Sequence, residues 1–187
     1  MARWAGDVRQ RLAEAGRVLV VERGFDAVTV AAIARRAGAA ESSFYRHFPD
    51  KAAVLQEDVR QVADRLTAAV LAAPARAGAV HAAGLAVEGL CSALQDDRAG
   101  TLALARAVAG SASLRDRQLS RHAQLADAVS AALQRRGVGP ATADLTAATV
   151  LLVLRAATAD WAAGDPDRSL GRLFLTRLDD LGRAFAA

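Results

Sequence analysis

Ser42, Ser43, Tyr45, Arg46 and His47 make an almost unbroken run of hydrogen-bonding side chains, interrupted by Phe44 and followed by Phe48. The two phenylalanines are four residues apart, so on a helix they share a face and turn the polar groups away from it. Hydroxyl, phenol, guanidinium and imidazole groups on a short exposed helix suit phosphate oxygens and base edges, and a helix is the element that fits a DNA major groove. The chemistry this implies is recognition. For catalysis, three histidines and one cysteine are a thin inventory, with no Gly-rich phosphate loop, Ser/His/Asp arrangement or paired carboxylates beside them. His81, His122 and Cys91 are too scattered to suggest a metal set, so neither an enzyme nor a metal or cofactor is expected.

A reading helix needs elements that hold it. Ala32, Ile33, Ala34 and Ala37 recur with helical period, Thr29 is placed to cap the helix they define, and Gly38 stands where that helix must stop in a left-handed conformation. Arg35 and Arg36 at its end suit the helix dipole, and Arg36 is also a candidate for DNA. Val8, Leu12, Ala15 and Leu19 form the apolar stripe of a preceding helix, ended by Gly24 and Phe25, that would brace the pair. After Phe48, Pro49 and Asp50 make a turn and cap. Lys51 then offers a point charge to a phosphate at the head of the next helix. The candidate DNA-binding residues are Thr29, Arg36, Ser42, Ser43, Tyr45, Arg46, His47 and Lys51. Arg3 is either a minor-groove arm or part of a frayed end.

The segments GFDAVTVAAIARRAG and SSFYRHFPDKAAVL resemble the tetracycline-repressor (TetR) family of transcriptional regulators over about the first third of the chain, through Thr29, Ala34, Gly38, Phe44, Tyr45, Phe48 and Lys51 at these spacings. Ala40 departs from the family's usual capping serine and Ser42 from its usual glycine. Glu41 suits the helix dipole but not a phosphate. The resemblance implies a homodimeric repressor that reads a pseudo-palindromic double-stranded operator and is released by a small-molecule effector. It also places the helix bearing Gln118, Arg121 and His122 beside a ligand cavity. Gln118 and His122, with Cys91 and Trp161, are the candidate ligand-binding residues, and Trp161 has a subunit interface as its alternative place.

Composition sets the bounds. A chain of 187 residues with 53% hydrophobic side chains is folded, and the scarcity of aromatics at 4% beside abundant Ala, Leu and Arg favours helices. The net charge of +4 is not segregated, with 11 basic and 9 acidic residues up to Ala73 and 13 and 11 beyond, so a nucleic-acid reading rests on the motif. The lone Cys91 fits a reducing compartment, the N-terminus lacks the apolar run of a signal peptide, and no stretch of about 18 uncharged apolar residues occurs, so a cytoplasmic protein off the membrane is expected.

Leu55, Val59, Val62, Leu66 and Val70 predict a long helix reaching Ala73, and the segment from Pro74 to Gly78 breaks it. Val80, Gly84, Val87, Cys91 and Leu94 predict a core helix. Shorter and longer helices are expected over 102–108 and 114–133, ended by Gly137, Gly139 and Pro140. The run LTAATVLLVL, residues 145–154, is apolar around most of its circumference and must be covered on several sides by protein. Gly164, Asp165 and Pro166 turn the chain into a last helix striped by Leu170, Phe174, Leu178, Leu181 and Phe185. The reading is an all-α protein of about nine helices, with a DNA-binding domain over 1–48, a linker helix over 49–73 and a ligand-binding and dimerisation domain over 74–187. Self-association is expected through the two C-terminal helices, and Leu, Val and Ala lining suits a lipophilic effector. The alternative is a helical small-molecule-binding protein whose helix-turn-helix no longer binds an operator.

Overall fold

The computed structural model of the protein describes residues 3–55, 59–164 and 167–186. The turn at Asp165 and Pro166, and the side chains of Arg3 and Phe185, lie outside the described residues. Among those described, nine α-helices occur and no strand: α1 Arg3–Arg23, α2 Val30–Arg36, α3 Glu41–His47, α4 Val59–Ala72, α5 Ala79–Asp96, α6 Arg98–Gly110, α7 Ala112–Arg135, α8 Pro140–Ala163 and α9 Leu170–Ala186. The all-α expectation and its helix count therefore hold. The helices group into two compact units, residues 1–57 with 98–116, and residues 58–97 with 117–187. α6 thus belongs with the N-terminal helices although 40 residues of the other unit precede it in the chain, a grouping that linear periodicity does not reveal.

In the first unit, Leu12, Ala15, Leu19 and Val20 of α1 close over Ile33 and Ala34 of α2, Phe44 of α3, and Phe48, with Ala103 of α6 completing the cluster. Gly16, on the same side of α1, lies so close to the 3₁₀ turn Lys51–Leu55 that a Cβ built on it would meet Val54 Cγ2 at 2.3 Å. The sequence predicts a long α-helix starting near Lys51. The structure has instead the 3₁₀ turn, with Asp50 Oδ1 accepting from the N–H groups of Ala52 (3.0 Å) and Ala53 (3.1 Å), and α4 begins at Val59. Ala52 and Val54 are buried, so the tighter turn presses two small side chains inward where α1 has left room.

In the second unit α5 packs against α4, α8 and α9. Ala82, Ala83, Gly84, Ala86, Val87 and Cys91 are its buried residues. Val80, expected on that face, is 51% exposed: α5 begins at Ala79, and its first turn lies at the rim of the packing. Nine residues of α8, including Val150, Leu151, Leu154, Ala157 and Trp161, are buried, and the Trp161 indole N–H donates to the Arg168 carbonyl at 2.8 Å. By length and composition α8 is the one described helix that could cross a bilayer, more than the sequence reading allowed. Its packing on α5 and α9 accounts for that apolar character on one side only, because Leu145 and Leu152 remain 70% and 54% exposed.

One arginine ties two turns of this unit together. Gly137 adopts φ +89, and the N–H groups of Gly137 and Val138 return to the carbonyls of Gln134 and Leu133, ending α7 in a Schellman motif. Arg136, just inside that motif, sends its guanidinium to the end of α4. Nη1 donates to Val70 (3.1 Å) and Ala73 (2.8 Å) and Nη2 to Pro74 (2.8 Å) carbonyls. Carbonyls at a helix C-terminus have no partner within the helix, and here a cation supplies one.

Candidate nucleic-acid interface

α2 ends as its residue types require. Thr29 has extended backbone angles and its hydroxyl accepts from Ala32 N–H at 3.2 Å, an N-cap. At the other end Gly38 adopts φ +62, its N–H reaches the Arg35 carbonyl, and Ala39 N–H reaches the Ala34 carbonyl, so the turn into α3 is a Schellman motif. α3 follows after Ala40, which caps it with no side-chain hydrogen bond, while Glu41 in its first turn complements the dipole. Phe44 is fully buried and stacks at 5.5 Å on Phe48, itself buried. Their burial fixes the roll of α3 about its axis.

That roll decides what faces outward. Ser42 and Arg46 are exposed and Tyr45 is 57% exposed, while Ser43 and His47 lie half-buried at the flanks. Arg46 Nη2 donates to Ser43 Oγ at 2.7 Å, which pre-orders the guanidinium along the helix. The structure therefore brings five of the eight candidate residues onto one helix. The other three are committed elsewhere: Thr29 to its cap, and Arg36 to an ion pair with Glu22 of α1 at 2.8 Å, of little energetic weight because both groups are well exposed. Lys51 Nζ donates to the carbonyls of Phe25 (2.9 Å) and Val28 (3.0 Å).

The four ligand candidates do not share a site. Cys91 and Trp161 are fully enclosed, and burial, with the Glu88 carboxylate nearby, pushes the Cys91 thiol up to about 12, so it is inert at neutral pH. Gln118 is half-buried on α7. His122 lines a groove of about 250 Å³ between α7 and α8, with Leu119, Ala123, Leu151, Leu152 and Arg155. Arg155 is the polar neighbour that sequence reasoning missed. Its signal was a lone charge following the ten-residue apolar run.

Burial, and then Arg155 and Arg121, lower the His122 pKa from 6.5 to about 4. The unfolded chain therefore takes up a proton near pH 6.5 that the folded chain refuses until about pH 4. Above pH 6.5 neither state is charged and the group has no effect; between pH 6.5 and about 4 folding stability falls as acid is added. At pH 5 the loss is expected to be on the order of 1 kcal/mol, after allowance for solvent screening. Urea denaturation of wild type and His122→Gln at pH 7.5 and 5.0 measures it. Equal losses in the two proteins would clear His122 of the effect.

Comparison with known proteins agrees with this geometry. Residues 12–57 match the family model described as bacterial regulatory proteins, tetR family. No curated protein matches the chain in sequence. Among solved structures, FadR of Thermus thermophilus, a TetR-family transcriptional repressor in complex with lauroyl-CoA, is 21% identical, with a TM-score of 0.64 over 91% of each chain. The SmeT–triclosan complex is 20% identical, with a TM-score of 0.70 over 95% of this chain and 90% of that one. The fatty acid degradation regulator FadR of Bacillus halodurans is 16% identical, with a TM-score of 0.68 over 92% and 93%. At these identities the structural likeness concerns the fold, and the matched segment carries the family. Residues 12–57, from the middle of α1 through α2 and α3, therefore carry the N-terminal helix-turn-helix of the bacterial regulatory proteins of the tetR family, and the chain shares the helical fold of these solved structures over nine-tenths of its length.

Proposed function

We propose that the protein is a ligand-responsive repressor that binds a pseudo-palindromic DNA operator as a homodimer and is released by a small-molecule effector. The observation that carries the reading is the two-sidedness of α3: Phe44 is wholly buried while Ser42, Tyr45 and Arg46 of the same two turns stand in solvent. A seven-residue helix stabilises a protein little by exposing a tyrosine and an arginine. The arrangement makes sense if a groove receives them. Two such helices related by a two-fold axis, about one DNA turn or roughly 34 Å apart, would read two half-sites. The uncovered face of α8 supplies a surface for the two-fold contact.

The structural relatives named above bind lauroyl-CoA and triclosan, both with large apolar parts, and the His122 groove here is apolar except for its imidazole and Arg155. A lipophilic effector with a polar end is the class this chemistry favours. It would act by favouring a dimer whose two reading helices no longer fit both half-sites. The competing reading, a ligand-binding protein with a vestigial helix-turn-helix, draws on the uncapped Ala40 start of α3 and on Glu41.

Selection of duplexes from a random pool, followed by fluorescence anisotropy at two salt concentrations, separates the readings. A repressor is expected to retain a defined sequence and to bind it more weakly at higher salt, because phosphate contacts release counterions. Tyr45→Ala and Arg46→Ala are each expected to lower operator affinity by about tenfold with the helical content unchanged, the usual worth of one good contact. No enriched sequence, with a ligand still bound, would favour the competing reading.

A further inference from the structure

We infer that Lys51 is a positioning residue, whose ammonium group locks the helix-turn-helix into its reading shape instead of touching a phosphate; the inference rests on the DNA-binding reading above. Its Nζ donates to the Phe25 carbonyl at 2.9 Å and the Val28 carbonyl at 3.0 Å, and lies 4.3 Å from the centroid of the Phe25 ring. An ammonium has three protons and no preferred plane. Two protons are spent on main-chain oxygens, the ring takes up positive charge beside them, and the residue is half-buried. A phosphate contact would have only the third proton to use, from a side chain already held by two main-chain oxygens.

The position of those two carbonyls gives the bonds their meaning. Phe25 and Val28 bound the turn that leads into Thr29, the N-cap of α2, and Val28 N–H itself returns to the Phe25 carbonyl at 3.3 Å. Lys51 lies 26 and 23 residues further on, just past α3. One side chain therefore closes a loop that contains α2, the Gly38 turn and α3, joining the entry of the motif to its exit. The exit is itself anchored, since Asp50 caps the 3₁₀ turn and Ala52 and Val54 are buried. If the tie is cut, the direction in which the chain enters α2 is no longer held, and the Thr29 cap on Ala32 N–H frays with it.

The test compares the full-length wild type with Lys51→Met, which keeps the stem and loses the protons, on a duplex selected with the wild type. Affinity is read against salt at a temperature where circular dichroism shows both proteins folded, and amide exchange is read at Val28 and Ala32. Positioning predicts affinity at least tenfold weaker, a dependence of log K on log salt parallel to the wild type, and faster exchange at both amides. A direct phosphate contact predicts a slope shallower by about 0.9 with exchange unchanged, and that result overturns the inference. Should Lys51→Met not fold, Phe25→Leu removes the ring and keeps the charge. It is expected to weaken binding with the slope kept, and wild-type affinity and exchange in that variant would overturn the inference. If the wild type binds no duplex, the DNA-binding reading fails separately, and exchange alone decides: unchanged protection at Val28 and Ala32 in Lys51→Met rejects the tie.

Discussion

Leu145→Glu combined with Leu152→Glu is expected to yield a folded monomer that binds a two-half-site operator at least 100-fold more weakly than the wild type. Both leucines lie on the solvent side of α8, 70% and 54% exposed, with exposed Ala148 between them. Substitution at such positions changes the stability of a single chain by no more than about 0.5 kcal/mol. In the proposed dimer the same positions are enclosed, and four carboxylates brought into an apolar contact repel one another and lose their hydration. Losing the partner removes the tethered second half-site, which is worth about 10² to 10⁴ in affinity. Sedimentation equilibrium and operator titration measure the two consequences. A double variant that remains dimeric would place the interface elsewhere, and a monomeric wild type would remove the two-half-site mechanism.

Gly16→Ala is the second change with a large expected effect, and its sign is what makes it diagnostic. In the interior of an ordinary helix, glycine to alanine stabilises by roughly 0.5–1 kcal/mol. At Gly16 the added methyl would sit 2.3 Å from Val54 Cγ2 and 3.6 Å from Ile33 Cδ1, and Val54 and Ile33 are both buried. Overpacking of this kind costs about 1–3 kcal/mol, so the variant is expected to be destabilised despite alanine's better propensity. Val54→Ala should relieve the clash, and the double variant should be more stable than the two single losses added together predict. Urea midpoints of the four proteins decide it. A Gly16→Ala protein as stable as the wild type would mean that the 3₁₀ turn moves away at no cost.

What could be foreseen from the chain follows a physical boundary. Thr29 as a cap, Gly38 as a left-handed stop, and Phe44 and Phe48 as the inward face are local facts, each decided within a few residues, and each is found as expected. The long-range facts were not legible. Lys51 reads as a phosphate contact until the chain folds back and sets two carbonyls before it, 23 and 26 residues away. Nothing in the period of α1 marks Gly16 until Val54 arrives against it. α6 reads as part of the C-terminal half, because nothing in its period says that Ala103 will pack with α1 to α3. The α8 run shows its excess of apolar surface plainly, but which side is left bare depends on where α5 and α9 pack. The ligand candidates dispersed for the same reason. Folding spends both Cys91 and Trp161 on the interior.

The arginine that grips the end of α4 bears on how the protein resists proteases. The segment 73–78, with Pro74, an exposed Arg76 and Gly78, has the make-up of a trypsin nick site. A protease must draw several residues of its target into an extended form, and here the carbonyls of Ala73 and Pro74 are held at 2.8 Å by a guanidinium from another turn, while Ala77 N–H is bonded to Pro74 O. Limited digestion should therefore spare the Arg76–Ala77 bond in the wild type and cut it early in Arg136→Met. The bond that looks most fragile in the chain is kept whole by a residue sixty positions away.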